Sequence, residues 1–264
     1  MSVMERQQKP IYSVLAHIYD TLMQDVDYEA WADYIDDLIQ LHAPESEDLL
    51  ELACGTGSVA LSLAELGYYR ITGTDLSATM VDKAVEKSEG LDLPVRFLRR
   101  DFLDIDLDET FDVVYLVFDS INYLHAERDI LKLHDQVVSV LRPGGLFIFD
   151  FTTPAHSRQV AGHLDKEEGT SPDHYHFFRT SRYDEQSRIH TNAFNIERLS
   201  PDHTRVLETF SEVHRQKIYT FSDMKRMIRK TGFRIVKAYD EFQFDPATDN
   251  SPRITIVSEW QPIA

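Results

Sequence analysis

A single cysteine, Cys54, is all the thiol that the 264-residue chain contains, which excludes an internal disulfide framework and any multi-cysteine zinc site. A reducing compartment fits that scarcity. Long apolar runs are also missing. The longest in the middle of the chain, Val113 to Phe118, falls far short of a bilayer span, and Met1 to Gln8 carry charge and glutamines rather than a signal-peptide stretch. The expectation is a soluble cytoplasmic protein with no membrane partner. Basic residues are few, 27 Lys plus Arg against 45 Asp plus Glu, for a formal net charge of −18. Such a surface repels phosphate backbones unless its cations are concentrated, so nucleic acid is not an expected partner. No G-x-S-x-G elbow occurs. His174 and His176 alternate on one strand face without a third ligand at a telling spacing, so no metal centre is expected.

The composition itself, 42% hydrophobic and 27% charged, is that of a globular protein. Its length suits one large domain or a domain carrying an insertion. From Leu49 to Phe151 short apolar runs alternate with amphipathic stretches, the pattern of a parallel sheet with helices on its faces. Strands are expected at Leu49–Cys54, Arg70–Asp75, Val95–Arg100, Asp112–Phe118 and Leu146–Phe151. Helices fall at about Ser58–Leu66, closed by Gly67, after the N-cap Ser77, and at about Glu127–Leu141, stopped by Pro143-Gly144-Gly145. A helix at Phe221–Lys230, closed by Gly232, and strands at Phe233–Tyr239 and Arg253–Trp260 complete the pattern. The segment Asp245 to Pro252 is long enough for an antiparallel return but too short for a crossover helix.

Two regions depart from this alternation. Ile11–Met23 and Tyr28–Leu41 read as amphipathic helices, giving an N-terminal helical cap over residues 1–44. Residues 154–219 read as an antiparallel β insertion, with strands at Tyr175–Tyr183, Arg188–Leu199 and Arg205–Tyr219, and hold seven of the eleven histidines. The insertion is either a polar surface sheet or a substrate-side lid. Residues 45–153 and 220–264 form the core.

The run Glu51-Leu52-Ala53-Cys54-Gly55-Thr56-Gly57 sits where the first core strand turns into a helix. Glycines there let a ligand approach the backbone, and the helix N-terminus supplies free N–H donors. Gly55, Gly57 and Ala60, with Asp75 further on, also satisfy the loose dinucleotide fingerprint, which leaves a nicotinamide cofactor open. Glu51 would put a carboxylate beside the loop, suited to a cation rather than a pyrophosphate. Asp101 followed by Phe102 offers an acceptor for an exocyclic amine next to an aromatic cover. With Leu141-Arg142-Pro143-Gly144-Gly145 ahead of the fifth core strand, these residues resemble the class I S-adenosylmethionine-dependent methyltransferases.

That resemblance implies a Rossmann-like, seven-stranded, mostly parallel α/β sheet with one antiparallel strand, and S-adenosyl-L-methionine as cofactor. It places Ala53, Gly55 and Gly57 under the methionine moiety, Glu51 near its ammonium and Asp75 on the ribose hydroxyls. Leu76 and Met80 would line the adenine pocket, with Asp101 on the adenine amine and Phe102 on the ring. Tyr12, Tyr19-Asp20, Tyr28 and Trp31, together with Phe118-Asp119-Ser120-Ile121-Asn122-Tyr123, look like a bacterial subgroup similar to sugar-amine N,N-dimethyltransferases. There, Tyr12, Tyr19, Trp31 and Phe118 are implied to contact the cofactor, although helix-face spacing equally allows plain packing. Tyr19, Asp119, Asn122 and Tyr123 are the candidates for handling a nucleophile on a small-molecule substrate, an amine by this likeness. A cofactor-binding protein without turnover is the rival reading. Cys54, ending a buried strand, reads as a small apolar residue rather than a nucleophile.

Overall fold

Residues 7–261 are described by the computed structural model; residues 1–6 and 262–264, and with them most of the Met1 to Gln8 reading and the start of the cap, lie outside the described residues. The chain enters through a two-residue strand β1 (Gln7–Gln8), a 3-10 turn at Leu15–His17 and two helices, α1 (Tyr19–Leu22) and α2 (Tyr28–His42). Strand and helix then alternate: β2 (Asp48–Leu52), α3 (Ser58–Glu65), β3 (Arg70–Asp75), α4 (Ala78–Ser88), β4 (Val95–Arg99) and β5 (Phe111–Leu116). A 3-10 turn at Ser120–Tyr123 precedes α5 (Glu127–Val140) and β6 (Leu141–Thr152). Next come α6 (Pro154–Leu164), β7 (Glu167–Thr170), β8 (Tyr175–Asp184), β9 (Ile189–Leu199) and β10 (Val206–Lys217). Finally α7 (Phe221–Ile228), β11 (Phe233–Asp240) and β12 (Arg253–Trp260) return to the first sheet.

The main sheet has the order β11-β12-β6-β5-β2-β3-β4, with β12 antiparallel to both of its neighbours. Its central strands are apolar runs buried on both faces, as a sheet covered by helices on each side requires. One face packs Ile35, Leu38, Leu63 and Ile71 among residues of α2 and α3; the other packs Leu133, Val137, Phe147 and Met224 among residues of α5 and α7. The chain leaves β2 toward β3 on one side and later toward β5 on the other, which opens a crevice at the carboxyl ends of β2 and β5, where ligands bind in such sheets.

A second sheet, ordered β1-β10-β9-β8-β7, takes up most of residues 154–219. The sequence missed α6, which starts with Pro154 behind the capping side chain of Thr153, and the short strand β7. The expected helix over Ile11–Met23 does not form. Tyr12 takes a positive φ of 58° and the Glu212 carboxylate captures the N–H groups of Tyr12, Val14 and Leu15, so only a 3-10 turn and the four-residue α1 remain. The apolar residues of that pattern, Val14, Leu15 and Ile18, are buried all the same, against Phe177, Phe194 and Phe210 of the second sheet. Pro143-Gly144-Gly145 lies inside the start of β6 rather than at the end of α5, and Gly232 lacks the positive φ of a helix-closing glycine.

Two identical tetrapeptides, Ser171-Pro172-Asp173-His174 and Ser200-Pro201-Asp202-His203, form neighbouring turns of the second sheet. Each ends on a histidine with positive φ, and the two imidazoles meet at 2.8 Å. No helix among the described residues is long and apolar enough to cross a membrane.

His134 gives this fold a pH signature. It is wholly buried in α5, its Nδ1–H donating to the Ile130 carbonyl at 2.8 Å, among Phe147, Phe149 and Phe233. Burial lowers its pKa to about 4. A base whose folded pKa lies below its unfolded value keeps full stability above about pH 6.5 and loses it as acid protonates the unfolded chain first. By pH 4.5 the loss attributable to this side chain should be about 2 to 3 kcal/mol. Urea unfolding of the wild type and His134→Leu at pH 7 and 4.5 measures it: the gap between the two proteins should shift by that amount in favour of the variant at the lower pH, and an unchanged gap refutes the assignment.

Candidate functional site

In the parallel register of the main sheet, Glu51 stands between Tyr115 of β5 and Gly73 of β3, and Gly73 faces Phe97 of β4. Side chains in register share a face, so this row brings a carboxylate, a phenol and a phenyl ring together beneath the crevice. A Cβ on Gly73 would lie 2.6 Å from Phe97, so the close fit of this row requires glycine. Glu51 is 2% exposed, and the Tyr115 hydroxyl donates to it at 3.3 Å. Burial, together with the nearby Asp75, outweighs that bond and pushes the Glu51 carboxyl up to about 8.

Past β2 the backbone turns sharply: Ala53, Gly55 and Gly57 all have positive φ. Asp75, ending β3, closes the turn by accepting from the Gly55 N–H at 3.0 Å and the Ser77 N–H at 2.8 Å. Burial raises the pKa of Asp75 despite these bonds. The Tyr19 ring lies above Gly55, where an added Cβ would be 3.9 Å from it. Asp20 accepts from the Thr56 hydroxyl at 2.7 Å and from Lys87 of α4 at 2.8 Å, tying the N-terminal segment to the loop. Cys54 is buried beneath, and burial pushes its thiol up, away from a reactive thiolate.

Across the crevice, Phe118 and Asp119 follow β5 with consecutive positive φ values, 57° and 49°. Non-glycine residues held there carry strain that the surroundings must impose. Trp31 packs on Phe118 at 4.3 Å between ring centroids, and Asp150 accepts the Asp119 N–H at 2.8 Å. Arg253 bridges the Asp119 and Asp150 carboxylates. Desolvation disfavours its charge, but the two carboxylates outweigh that and raise its pKa. Asn122 is fully buried with its amide occupied by main chain: it donates to Lys217 O at 2.8 Å and Thr152 O at 3.3 Å and accepts from Thr152 N at 3.1 Å. Its amide thus joins the turn to β6 and β10 rather than facing the crevice. Tyr123 bonds the Tyr12 hydroxyl at 2.8 Å and His214 Nδ1 at 3.0 Å.

The structure therefore brings Tyr12, Tyr19, Gly55, Asp75 and Tyr123 into one cluster at the carboxyl ends of the strands, with Glu51 in the row below and Trp31, Phe118 and Asp119 on the β5 side. Asp101 stands beyond β4, joined to this group through the bond from Arg100 N–H to the Asp75 carbonyl, and its carboxylate caps the Leu103 N–H at 2.8 Å. Met80 is buried, Phe102 is half-buried and Leu76 is exposed. Sequence reasoning missed Arg253, Glu212 and His214. The last two stand at i and i+2 on β10, the same alternation noticed at His174 and His176.

Residues 49–145 match the family described as a methyltransferase domain. YqeM of Bacillus subtilis (strain 168), a methyltransferase by name, is 30% identical over 246 residues, 92% of this chain and 92% of its own. The dTDP-4-amino-2,3,4,6-tetradeoxy-D-glucose N,N-dimethyltransferase of Saccharopolyspora spinosa is 28% identical over 137 residues, 51% of this chain and 53% of its own. A solved S-adenosylmethionine-dependent methyltransferase from Clostridium acetobutylicum ATCC 824 superposes with a TM-score of 0.76 at 24% identity, covering 94% of this chain and 98% of that one.

Two glycines of opposite surroundings test the packing beneath the loop. A Cβ on Gly57, φ 78°, would lie 2.6 Å from Phe97 and 2.9 Å from Ala84, whereas one on Gly67, φ 81°, meets nothing within 4 Å. Gly67→Ala should cost only left-handed strain, about 1 to 2 kcal/mol. Gly57→Ala adds overpacking and should cost about 2 to 5 kcal/mol. Equal losses in urea unfolding would show that Phe97 yields freely.

Proposed function

The chain belongs to the class I S-adenosylmethionine-dependent methyltransferases, and from that premise we propose that it transfers a methyl group to the nitrogen of a small acceptor that binds as an ammonium. The observation that carries the acceptor reading is the strained Phe118-Asp119 turn: two carboxylates, Asp119 and the wholly buried Asp150, whose pKa burial raises to about 6, share the single guanidinium of Arg253, a formal excess of one negative charge when both are ionised. The partial likeness to a sugar N,N-dimethyltransferase supports the same reading.

The residues present fit the cofactor. Glu51 is a buried carboxyl group with no cationic partner among the described residues, and an ammonium beside it would favour its charged form. The turn through Gly55 and Gly57 would hold the methionine moiety, Asp75 the ribose, Met80 and Leu76 the adenine, and Asp101 its amine, with Phe102 against the ring. Tyr12, Tyr19, Trp31 and Phe118 would close the space. When bound, the cofactor supplies a methyl group on a good sulfonium leaving group. The chain's own task is alignment and the exclusion of water. Tyr19 and Trp31 cover the site, Asp119 attracts and orients the ammonium, and the Tyr12 hydroxyl, bonded to Tyr123, faces the nitrogen. Asn122 we reassign from nucleophile handling to positioning, since its bonds hold the turn that carries Asp119 and Tyr123.

Residues 1–44 and 154–219 are proposed as cap and substrate-side lid on the core. Cap and lid meet at the Glu212 carboxylate, which supports the two acting together.

Two measurements test this reading. Binding a cation beside Glu51 favours its carboxylate, so below about pH 8 the cofactor should displace a proton, and affinity should tighten as pH rises from 6 to 8 and level off above. Titration calorimetry with S-adenosylhomocysteine in two buffers of different ionisation enthalpy reads the released proton; it should vanish in Glu51→Gln, and pH-independent binding by the wild type refutes the contact. Asp75→Ala should weaken binding by about 2 to 4 kcal/mol, from two charge-assisted bonds that are not fully additive. For the acceptor, a panel of small amines and hydroxylated metabolites is assayed by S-adenosylhomocysteine release. Methylation confined to hydroxyl acceptors overturns the amine reading.

A further inference from the structure

Behind Tyr123 a buried chain of polar groups leads away from the crevice into the second sheet. The Tyr12 and Tyr123 hydroxyls lie 2.8 Å apart, and Tyr123 meets His214 Nδ1 at 3.0 Å. His214 is 3% exposed, with its Nε2 3.4 Å from the Glu212 carboxylate, which is 0% exposed. Glu212 accepts from the backbone N–H of Tyr12, Val14 and Leu15 and from the Ser13 hydroxyl. Those donors fix a carboxylate, an acceptor only, against Nε2, so Nε2 carries the imidazole proton and Nδ1 offers its lone pair. The Tyr123 hydroxyl must then donate to Nδ1 and accept from Tyr12. Every proton in the chain points from the crevice toward His214. At 3.4 Å, Nε2 has no full-strength hydrogen bond, although it is buried. An imidazolium there would form an ion pair with Glu212 that the neutral ring does not have.

We propose that His214, held by Glu212, is the proton acceptor for the amine, reached through Tyr123 and Tyr12. The inference rests on the amine reading above. In the step, the ammonium N–H bond breaks and the nitrogen keeps the electron pair. Its proton passes to the Tyr12 oxygen, the Tyr12 proton to Tyr123, and the Tyr123 proton to His214 Nδ1. Both phenols end neutral, and the charge lost by the substrate resides on the imidazolium beside Glu212. Burial raises the pKa of both phenols, which suits groups that pass a proton on without holding a phenolate. Tyr12 is the group that touches the substrate; Tyr123, His214 and Glu212 act through it.

The groups facing His214 are Tyr12 from the N-terminal segment, Tyr123 from the 3-10 turn, Glu212 on its own strand and the apolar Phe194 ring of β9. Asp119 stands near Tyr123 and adds negative charge on the crevice side.

The experiment has an activity arm and a spectroscopic arm, both on the full chain. His214→Asn keeps a polar group near the Nδ1 position but cannot take up a proton, and Tyr123→Phe cuts the chain midway if the first variant fails to fold. With the best amine of the panel, either variant should lose about 10- to 100-fold in kcat/KM at pH 7, and the deficit should close as pH approaches the amine's own pKa, where it arrives neutral. S-adenosylhomocysteine affinity should be unchanged in Tyr123→Phe. A deficit of constant size at all pH values means that the residues only pack, and overturns the proposal. In the spectroscopic arm, 15N correlation spectra of the unliganded protein should give His214 as the Nε2–H tautomer, and Glu212→Gln, which puts an amide where the carboxylate stood, should weaken that preference. The Nδ1–H tautomer in the wild type overturns the relay independently of which acceptor is used. If the panel yields only hydroxyl acceptors while the tautomer is as expected, the amine reading fails and the relay stands as a base for a hydroxyl.

Discussion

The carboxylate of Glu212 is the tie on which the closed side of the crevice depends. It is wholly buried, and it is kept there by three backbone N–H groups and a hydroxyl from residues 12 to 15. Those N–H groups do for it what a helix N-terminus does for an anion. Burial alone would raise its pKa, yet these bonds and His214 hold it below the usual carboxylate range. To supply three donors to one group, the N-terminal segment must leave helical geometry, which it does at Tyr12. That same bend delivers the Tyr12 phenol to Tyr123 and its carbonyl to the Ser77 hydroxyl at 2.6 Å, just ahead of α4. A single anion on β10 thereby sets the relation of the N-terminal segment to both sheets.

The sequence makes the main sheet legible because its strands are apolar runs bounded by turn residues: Arg70–Asp75 and Arg253–Trp260 coincide with the observed strands. The loop from Glu51 to Gly57 and Asp75 are legible for a related reason, since their function lies in local spacing along strand, turn and helix. The Glu212 tie is not, because its partners are backbone groups 197 to 200 positions away and backbone N–H groups leave no mark in a sequence. The apolar spacing in Ile11–Met23 reports burial faithfully but not helix type, since a 3-10 turn followed by one helical turn buries the same residues. Arg253 reads from the sequence only as the first residue of a strand; the antiparallel pairing that puts it opposite Thr152 brings it to Asp150 and Asp119.

Arg253 and its two carboxylates illustrate the difference between stability and placement. A buried ion pair rarely stabilises a fold more than well-packed apolar groups would, because desolvation offsets the attraction. What this one provides is position. Asp150 holds the Asp119 N–H while Arg253 holds its side chain, and the Arg253 guanidinium also lies 5.6 Å over the Trp31 ring, which packs on Phe118. The strained pair Phe118-Asp119 is thus held from the backbone, the side chain and the ring side at once. Asn122 completes the brace from below by joining the following turn to β6 and β10.

The charge of the crevice carries a chemical consequence of its own. Asp75 and Asp119 flank the site, with Glu51 ready to ionise when a cation arrives, while the nearby cations Lys87 and Arg253 are each engaged with aspartates. Such a field attracts cations and suits both an ammonium-bearing cofactor and, on the proposed reading, an ammonium substrate. The same field raises the pKa of a bound amine and so keeps it in the form that has no lone pair to attack with. Attraction and reactivity then oppose each other. A site that recruits its acceptor by negative charge must also remove a proton from it, and the removal has to end where the displaced charge is stabilised. The Tyr12, Tyr123 and His214 chain, ending on an ionised Glu212 fixed by backbone donors, meets that requirement without placing a competing base beside the methyl group.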